Sequence, residues 1–260
     1  MIKNKVNFMK IFLCFIIIIC FFNTNVCATN NAIDVSNSCN GYFSIYYCTQ
    51  NVLKIKIKII YNDKINYYDY DIGELSSYAF IYGDGLYTIC MYQNVTKNLY
   101  RQIASKKIYV ELEDDMSPYL ISTYDVNFSE NDLVSKTASE ICKYYFMPFA
   151  KACAIHNYIY KNIEYDYETA NNIINEKNTK YRSKAENVLN NGKGICYDKA
   201  VLFAAMCRSQ GIPCKIVKGY YNDIYHAWNK IYVNNKWMDI DTSTTIDFII
   251  KNGKRYKEKI

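Results

Sequence analysis

The stretch from Gly192 to Ser243 reads GKGICYDKAVLFAAMCRSQGIPCKIVKGYYNDIYHAWNKIYVNNKWMDIDTS. Gly192 and Gly194 give a flexible approach to Cys196. AVLFAAMCRSQ follows, rich in Ala, Leu and Met, and predicts a helix. Gly211 suits the residue just past its end, and Pro213 blocks continuation. Cys196 therefore falls at a helix start. There the macrodipole and the unpaired backbone N–H groups favour an anion. A thiolate, the nucleophilic form of cysteine, is such an anion. The backbone N–H groups of Cys196 and Tyr197 are placed to receive an oxyanion from a substrate carbonyl. Beyond the helix, CKIVKGYY, HAWNKIYV and KWMDIDTS read as strands. Asn234-Asn235 is a good two-residue hairpin turn between the last two. Such a turn pairs Val233 with Lys236, and so Trp228 with Asp241. His226, one of only two histidines in the chain, then lies diagonal to Asp241 on the same face, within reach of its side chain. A three-residue turn would put the two on opposite faces.

Three separated motifs follow in order: Gly194-x-Cys196 running to Arg208 and Gly211-Ile-Pro213, then His226-Ala-Trp228, then Trp237-x-x-x-Asp241-x-Ser243. This pattern resembles the transglutaminase-like superfamily. The resemblance covers the C-terminal half and implies a papain-like fold with a Cys-His-Asp triad at Cys196, His226 and Asp241. One departure is Thr242, where many members carry proline. By the same analogy a side-chain amide ahead of the nucleophile, Asn190 or Asn191, could assist the oxyanion site. Each piece also has a plain alternative. Free cysteines are often buried, a histidine on a strand often only packs, and Trp228 and Trp237 suit a core.

The first residues belong to a different category. Lys3, Lys5 and Lys10 precede the apolar run IFLCFIIIICFF, and Val26-Cys27-Ala28 resembles a cleavage site, so residues 1–28 read as a signal peptide. The alternatives are an uncleaved anchor, although twelve apolar residues fall short of the roughly 20 needed to span a bilayer, and a lipidated Cys27. Removing the leader takes three lysines and no acid, which lowers the net charge from +6 to +3. That is too mild to suggest nucleic acid as a partner. Three of the 11 cysteines leave as well. Export permits disulfides among the other eight. Cys39 with Cys48 and Cys142 with Cys153 are local candidates. A reduced nucleophile leaves an odd number, so at least one more thiol is free or bridges between molecules. There is no Cys-x-x-Cys pair and no acidic calcium-type cluster, so neither a metal nor another cofactor is expected.

Residues 29–40 read as a linker. From 41 to 115 the runs GYFSIYYC, NVLKIKIKIIY, INYYDYDI, GLYTICMYQNV and IYVEL predict a small antiparallel, sandwich-like β domain. A charged connector follows. Residues 128–260 then form the catalytic domain, with helices predicted over NDLVSKTASEICKYYF and, after Met147-Pro148, over PFAKACAIHNYIYKNI. His156 reads as a packing or surface residue on the second helix. Residues 171–183 read as a long polar loop, AENVLNN as a short helix, and Asn252-Gly253 as a last hairpin turn. The fold class is α+β: a papain-like core preceded by the β domain. The resemblance implies a secreted or cell-surface cysteine enzyme acting on amide bonds of proteins or peptides, free or associated with a cell wall. The membrane is then met only through the leader. The other class is a noncatalytic cell-surface binding module that keeps the fold.

Overall fold

The computed structural model describes residues 32–50, 54–96, 99–175, 181–246 and 256–258. The expected leader and the Asn252-Gly253 turn lie outside the described residues.

Two hydrophobic cores organise the chain. Around the first, β1 (Ile33–Asp34), β2 (Tyr42–Ile45) and β5 (Ser76–Ala79) form one antiparallel sheet. β3 (Ile55–Tyr61), β4 (Lys64–Tyr70), β6 (Gly85–Thr96) and β7 (Leu99–Val110) form another, in the order β4-β3-β6-β7. The alternation in β3 sets its faces. Ile55, Ile57 and Ile59 are buried while Lys56 and Lys58 point outward, as a period of two requires. Phe43, Ile45 and Tyr78 of the small sheet share one core with Ile57, Ile89 and Met91 of the large one, which makes the pair sandwich-like.

Three details differ from the sequence pattern. Residues 32–40 are not a linker: Ala32 and Ile33 are buried, and Ile33 pairs with Ile45. β5, with the sequence SSYA, has no β-branched residue to mark it. β7 starts nine residues before IYVEL and is mostly exposed, as an edge strand can be.

The second core is built on helices α1 (Leu133–Cys142), α2 (Pro148–Asn162), α4 (Ala185–Asn191) and α5 (Cys196–Ser209), while α3 (Tyr167–Ile174) buries no residue. A four-stranded antiparallel sheet completes it, ordered β12 (Lys236–Ile240), β11 (Ile224–Val233), β10 (Cys214–Tyr221), β13 (Tyr256–Glu258). A short parallel pair, β8 (Glu164–Tyr165) and β9 (Lys193–Gly194), approaches the start of α5. The architecture is mixed α+β. Asp132 caps α1 by accepting the Ser135 N–H at 2.8 Å, and Pro148 opens α2. Part of the expected 171–183 loop is helical. Asp166 caps α3 through the Thr169 N–H at 3.0 Å, and the helix runs on to Ile174.

α5 lies at the centre. Residues 200–207 are each at most 1% exposed, and a helix enclosed on all sides needs no polar face. It stops as expected at Gly211, whose φ is +73°. The Gly211 and Ile212 amides donate back to the Arg208 and Cys207 carbonyls, both at 3.0 Å. Buried Arg208 donates to the Cys214 and Ile121 carbonyls at 3.0 and 2.9 Å, so its guanidinium satisfies backbone oxygens that lack water. The two cores are tied through Arg182. It pairs with Asp71 of the β unit, donates to the Tyr124 carbonyl at 3.0 Å and stacks 3.7 Å from the Tyr124 ring.

Candidate active site

Cys196 is the first residue of α5, directly after the N-cap Ile195. Asp198 fixes this helix start. Its carboxylate accepts the Ile195 N–H at 2.9 Å and the Tyr181 hydroxyl at 2.6 Å. Gly194 is required beside it, because a Cβ there would come within 2.6 Å of the Asp198 Cβ. In the first turn of a helix the backbone N–H groups have no intrahelical acceptor. Those of Cys196 and Tyr197 are therefore available beside the thiol. Asn190 and Asn191 are exposed.

The hairpin that carries the other two candidates has the register expected of a two-residue turn. Val233 faces Lys236 and Asn229 faces Ile240, with Asn234 and Asn235 at φ of +53° and +58°. This places Asp241 diagonal to His226. The His226 Nε2–H donates to Asp241 Oδ2 at 2.7 Å. That leaves Nδ1 free to face Cys196, which stands close enough to help raise the His226 pKa. The side chains of His226 and Asp241 are 16% and 2% exposed, so their charges interact with little screening. Burial alone would lower the imidazole pKa. Hydrogen bonds to Asp241 and Cys196, with their charges, outweigh burial and push it up to about 9. For Asp241, burial raises the carboxyl pKa. His226, the Ser243 amide and the Tyr256 hydroxyl oppose this, and the net direction is downward. The structure thus brings Cys196, His226 and Asp241 together, with a stable carboxylate behind an imidazole that holds its proton well.

Further residues, not legible as site residues in the sequence, surround this group. The Tyr256 hydroxyl on β13 donates to Asp241 Oδ2 at 2.9 Å, and its ring packs 5.0 Å from Trp228. β13 reaches this position because residue 219 is glycine. A Cβ there would lie 2.1 Å from the Lys257 carbonyl. His156 is fully buried, and its Nε2 lies 2.9 Å from the Asp241 backbone oxygen. A carbonyl only accepts, so the His156 proton sits on Nε2. The packing histidine thereby holds the main chain of Asp241. Lys199, one turn into α5, is buried near Asp241. Burial lowers its pKa and the Asp241 charge partly offsets this. Tyr165 stands close enough to the thiol for the Cys196 charge to add to the effect of burial in raising its pKa.

All eight cysteines among the described residues are free thiols. The expected bridges Cys39–Cys48 and Cys142–Cys153 are not formed. The Cys142 Sγ faces the Lys151 carbonyl at 3.9 Å instead. Among the described residues, no group of three or more His, Cys, Asp or Glu side chains is arranged to hold a metal ion.

Residues 135–242, a span that includes Cys196, His226 and Asp241, match the family model of the transglutaminase-like superfamily. Kyphoscoliosis peptidase of Mus musculus is 29% identical over 125 residues, which is 44% of this chain and 18% of that protein. The Homo sapiens protein of the same name is 29% identical over 102 residues, 35% of this chain and 15% of its own. The chain thus spans less than a fifth of the length of these curated relatives. Among solved structures, a candidate cysteine protease from Cytophaga hutchinsonii superposes with a TM-score of 0.46 at 18% identity, covering 84% of this chain and 82% of its own.

Proposed function

We propose that the protein, whose residues 135–242 match the transglutaminase-like superfamily model, is an exported thiol enzyme that cleaves or transfers amide bonds of proteins or peptides. The observation that carries this reading is the joint geometry of three side chains. A cysteine at a helix start stands beside a histidine whose pKa it helps to raise, and that histidine is held at 2.7 Å by a buried aspartate.

In this reading His226 takes the Cys196 thiol proton, which forms a thiolate–imidazolium pair. The thiolate attacks the substrate carbonyl carbon, and the negative charge moves to the carbonyl oxygen. There the Cys196 and Tyr197 N–H groups receive it. As the intermediate collapses, the C–N bond breaks and His226 gives its proton to the leaving amine. A thioester on Cys196 remains. Neutral His226 then takes a proton from water, or from an acceptor amine, which attacks the thioester. The acid or new amide departs and the thiolate–imidazolium pair is restored. Asp241 keeps the Nε2 proton in place and stabilises the imidazolium throughout. Hydrolysis is the favoured outcome over transfer. Export rests on the leader read at residues 1–28.

Limited iodoacetamide near pH 7 should label Cys196 ahead of Cys207 and Cys214, which are completely buried. A glutamine-containing peptide should then release ammonia in the presence of the wild type and not of Cys196→Ala. Adding a primary amine separates transfer from hydrolysis by its incorporation into the peptide. A chain whose Cys196 labels no faster in the presence of His226 than in His226→Ala is not an enzyme of this kind, and the noncatalytic module then stands.

A further inference from the structure

Between α1 and α2 the chain turns through Lys143, Tyr144, Tyr145, Phe146 and Met147, with Phe149 in the first turn of α2. Turns in water favour Gly, Asn, Asp and Ser. This one exposes Tyr144 at 79%, Tyr145 at 45%, Phe146 at 88%, Met147 at 64% and Phe149 at 36%. Such a contiguous apolar patch on a surface marks a contact with another body. The backbone beneath it is well tied. The Tyr145 amide donates to the Cys142 carbonyl at 2.9 Å, and the Lys151 amide donates to the Met147 carbonyl at 3.0 Å. Cys142 and Ala152 at the two helix ends are buried. The apolar side chains therefore project from a fixed tip.

We infer that the α1–α2 turn is a membrane-docking tip, which sets Tyr144, Phe146, Met147 and Phe149 into the interfacial layer of a bilayer bearing anionic headgroups. Two features favour lipid over a protein partner. A side chain as exposed as Phe146, at 88%, has little neighbouring surface with which to form the flat, packed centre of a protein interface. Its flanks also carry the matching charge. Lys143 and Lys151 bracket the aromatics and Lys136 lies about two turns back along α1, while the single acid between them, Glu140, lies 4.0 Å from the Lys143 ammonium. The Lys143 ammonium lies 5.7 Å from the Tyr144 ring. Aromatic rings at headgroup depth with lysines reaching to the phosphates are the chemistry of an interfacial contact. No helix of the described residues is long and apolar enough to cross a membrane. The contact is independent of the leader and of the reaction proposed at Cys196.

The test is co-sedimentation of the chain from Thr29 onward, which keeps every described residue, with vesicles of phosphatidylcholine with or without phosphatidylserine. The wild type should partition onto the mixed vesicles. Phe146→Ser/Met147→Ser, at exposed positions where the fold is not at stake, should weaken partitioning by about 10- to 100-fold. Lys143→Glu/Lys151→Glu should remove the dependence on phosphatidylserine while leaving thermal melting unchanged. Absence of wild-type partitioning overturns the inference, as does a double serine variant that partitions like the wild type. A wild type that dimerises through this tip without binding vesicles assigns the surface to a second copy, which also overturns it.

Discussion

Replacing Asp241 by Asn changes one atom in a side chain that is 2% exposed, and the consequence for His226 can be worked through. Asp241 supplies a hydrogen bond and a charge among the four contributions that raise the imidazole from its ordinary 6.5 to about 9. One pKa unit corresponds to about 1.4 kcal/mol. If the imidazole falls back fully to its ordinary value, the imidazolium loses about 3 kcal/mol of stabilisation, a factor on the order of 10² in its population. Cys196 retains its own share, which limits this loss, but the asparagine adds a second. Its amide can present N–H to Nε2 and disfavour the needed tautomer. In a serine triad the same exchange lowers turnover by about 10⁴. A thiol is more acidic than a hydroxyl and needs less help, so the expected fall in kcat/KM is on the order of 10²–10³. The assay is turnover of a confirmed peptide substrate, accompanied by an NMR titration of the His226 ring. The titration midpoint should move down from about 9. An Asp241→Asn variant that keeps full activity and an unmoved midpoint refutes the triad assignment.

Tyr256→Phe keeps the ring against Trp228 and removes only the hydroxyl at 2.9 Å from Asp241. It should lower kcat by up to about tenfold with little change in KM, since it loses one bond to a charged group that touches no substrate; steady-state kinetics check this split. Stability should also carry a signature of His226. The folded pKa, about 9, exceeds the ordinary 6.5. Its contribution is therefore complete below about 6.5, is lost as pH rises toward 9, and amounts to at most about 3 kcal/mol. Urea denaturation of the wild type and of His226→Gln should thus differ most near pH 6 and converge near pH 9, whereas a gap that widens with pH would contradict the raised pKa.

The parts of this molecule that could be read from the chain are those in which a few neighbouring residues determine geometry. Gly194, Cys196, Gly211 and Pro213 bound one helix, and that alone puts the thiol at its start. Asn234-Asn235 accept positive φ, so the turn has two residues, and its length settles which face His226 and Asp241 share. The residues that escaped reading act across distance or against pattern. Tyr256 arrives on a three-residue strand that fits only over a glycine in another strand, and no local periodicity announces such a crossing. His156 does pack, as its helical setting suggests, yet the same burial turns its Nε2 onto the Asp241 carbonyl. The apolar run after Lys143 continues the helical pattern of NDLVSKTASEICKYYF, because hydrophobicity marks a core and an exposed tip identically. Only the backbone decides between them. Helix α1 ends at Cys142, Pro148 restarts the chain as α2, and the residues between are carried out past both helix ends, where no core can cover them.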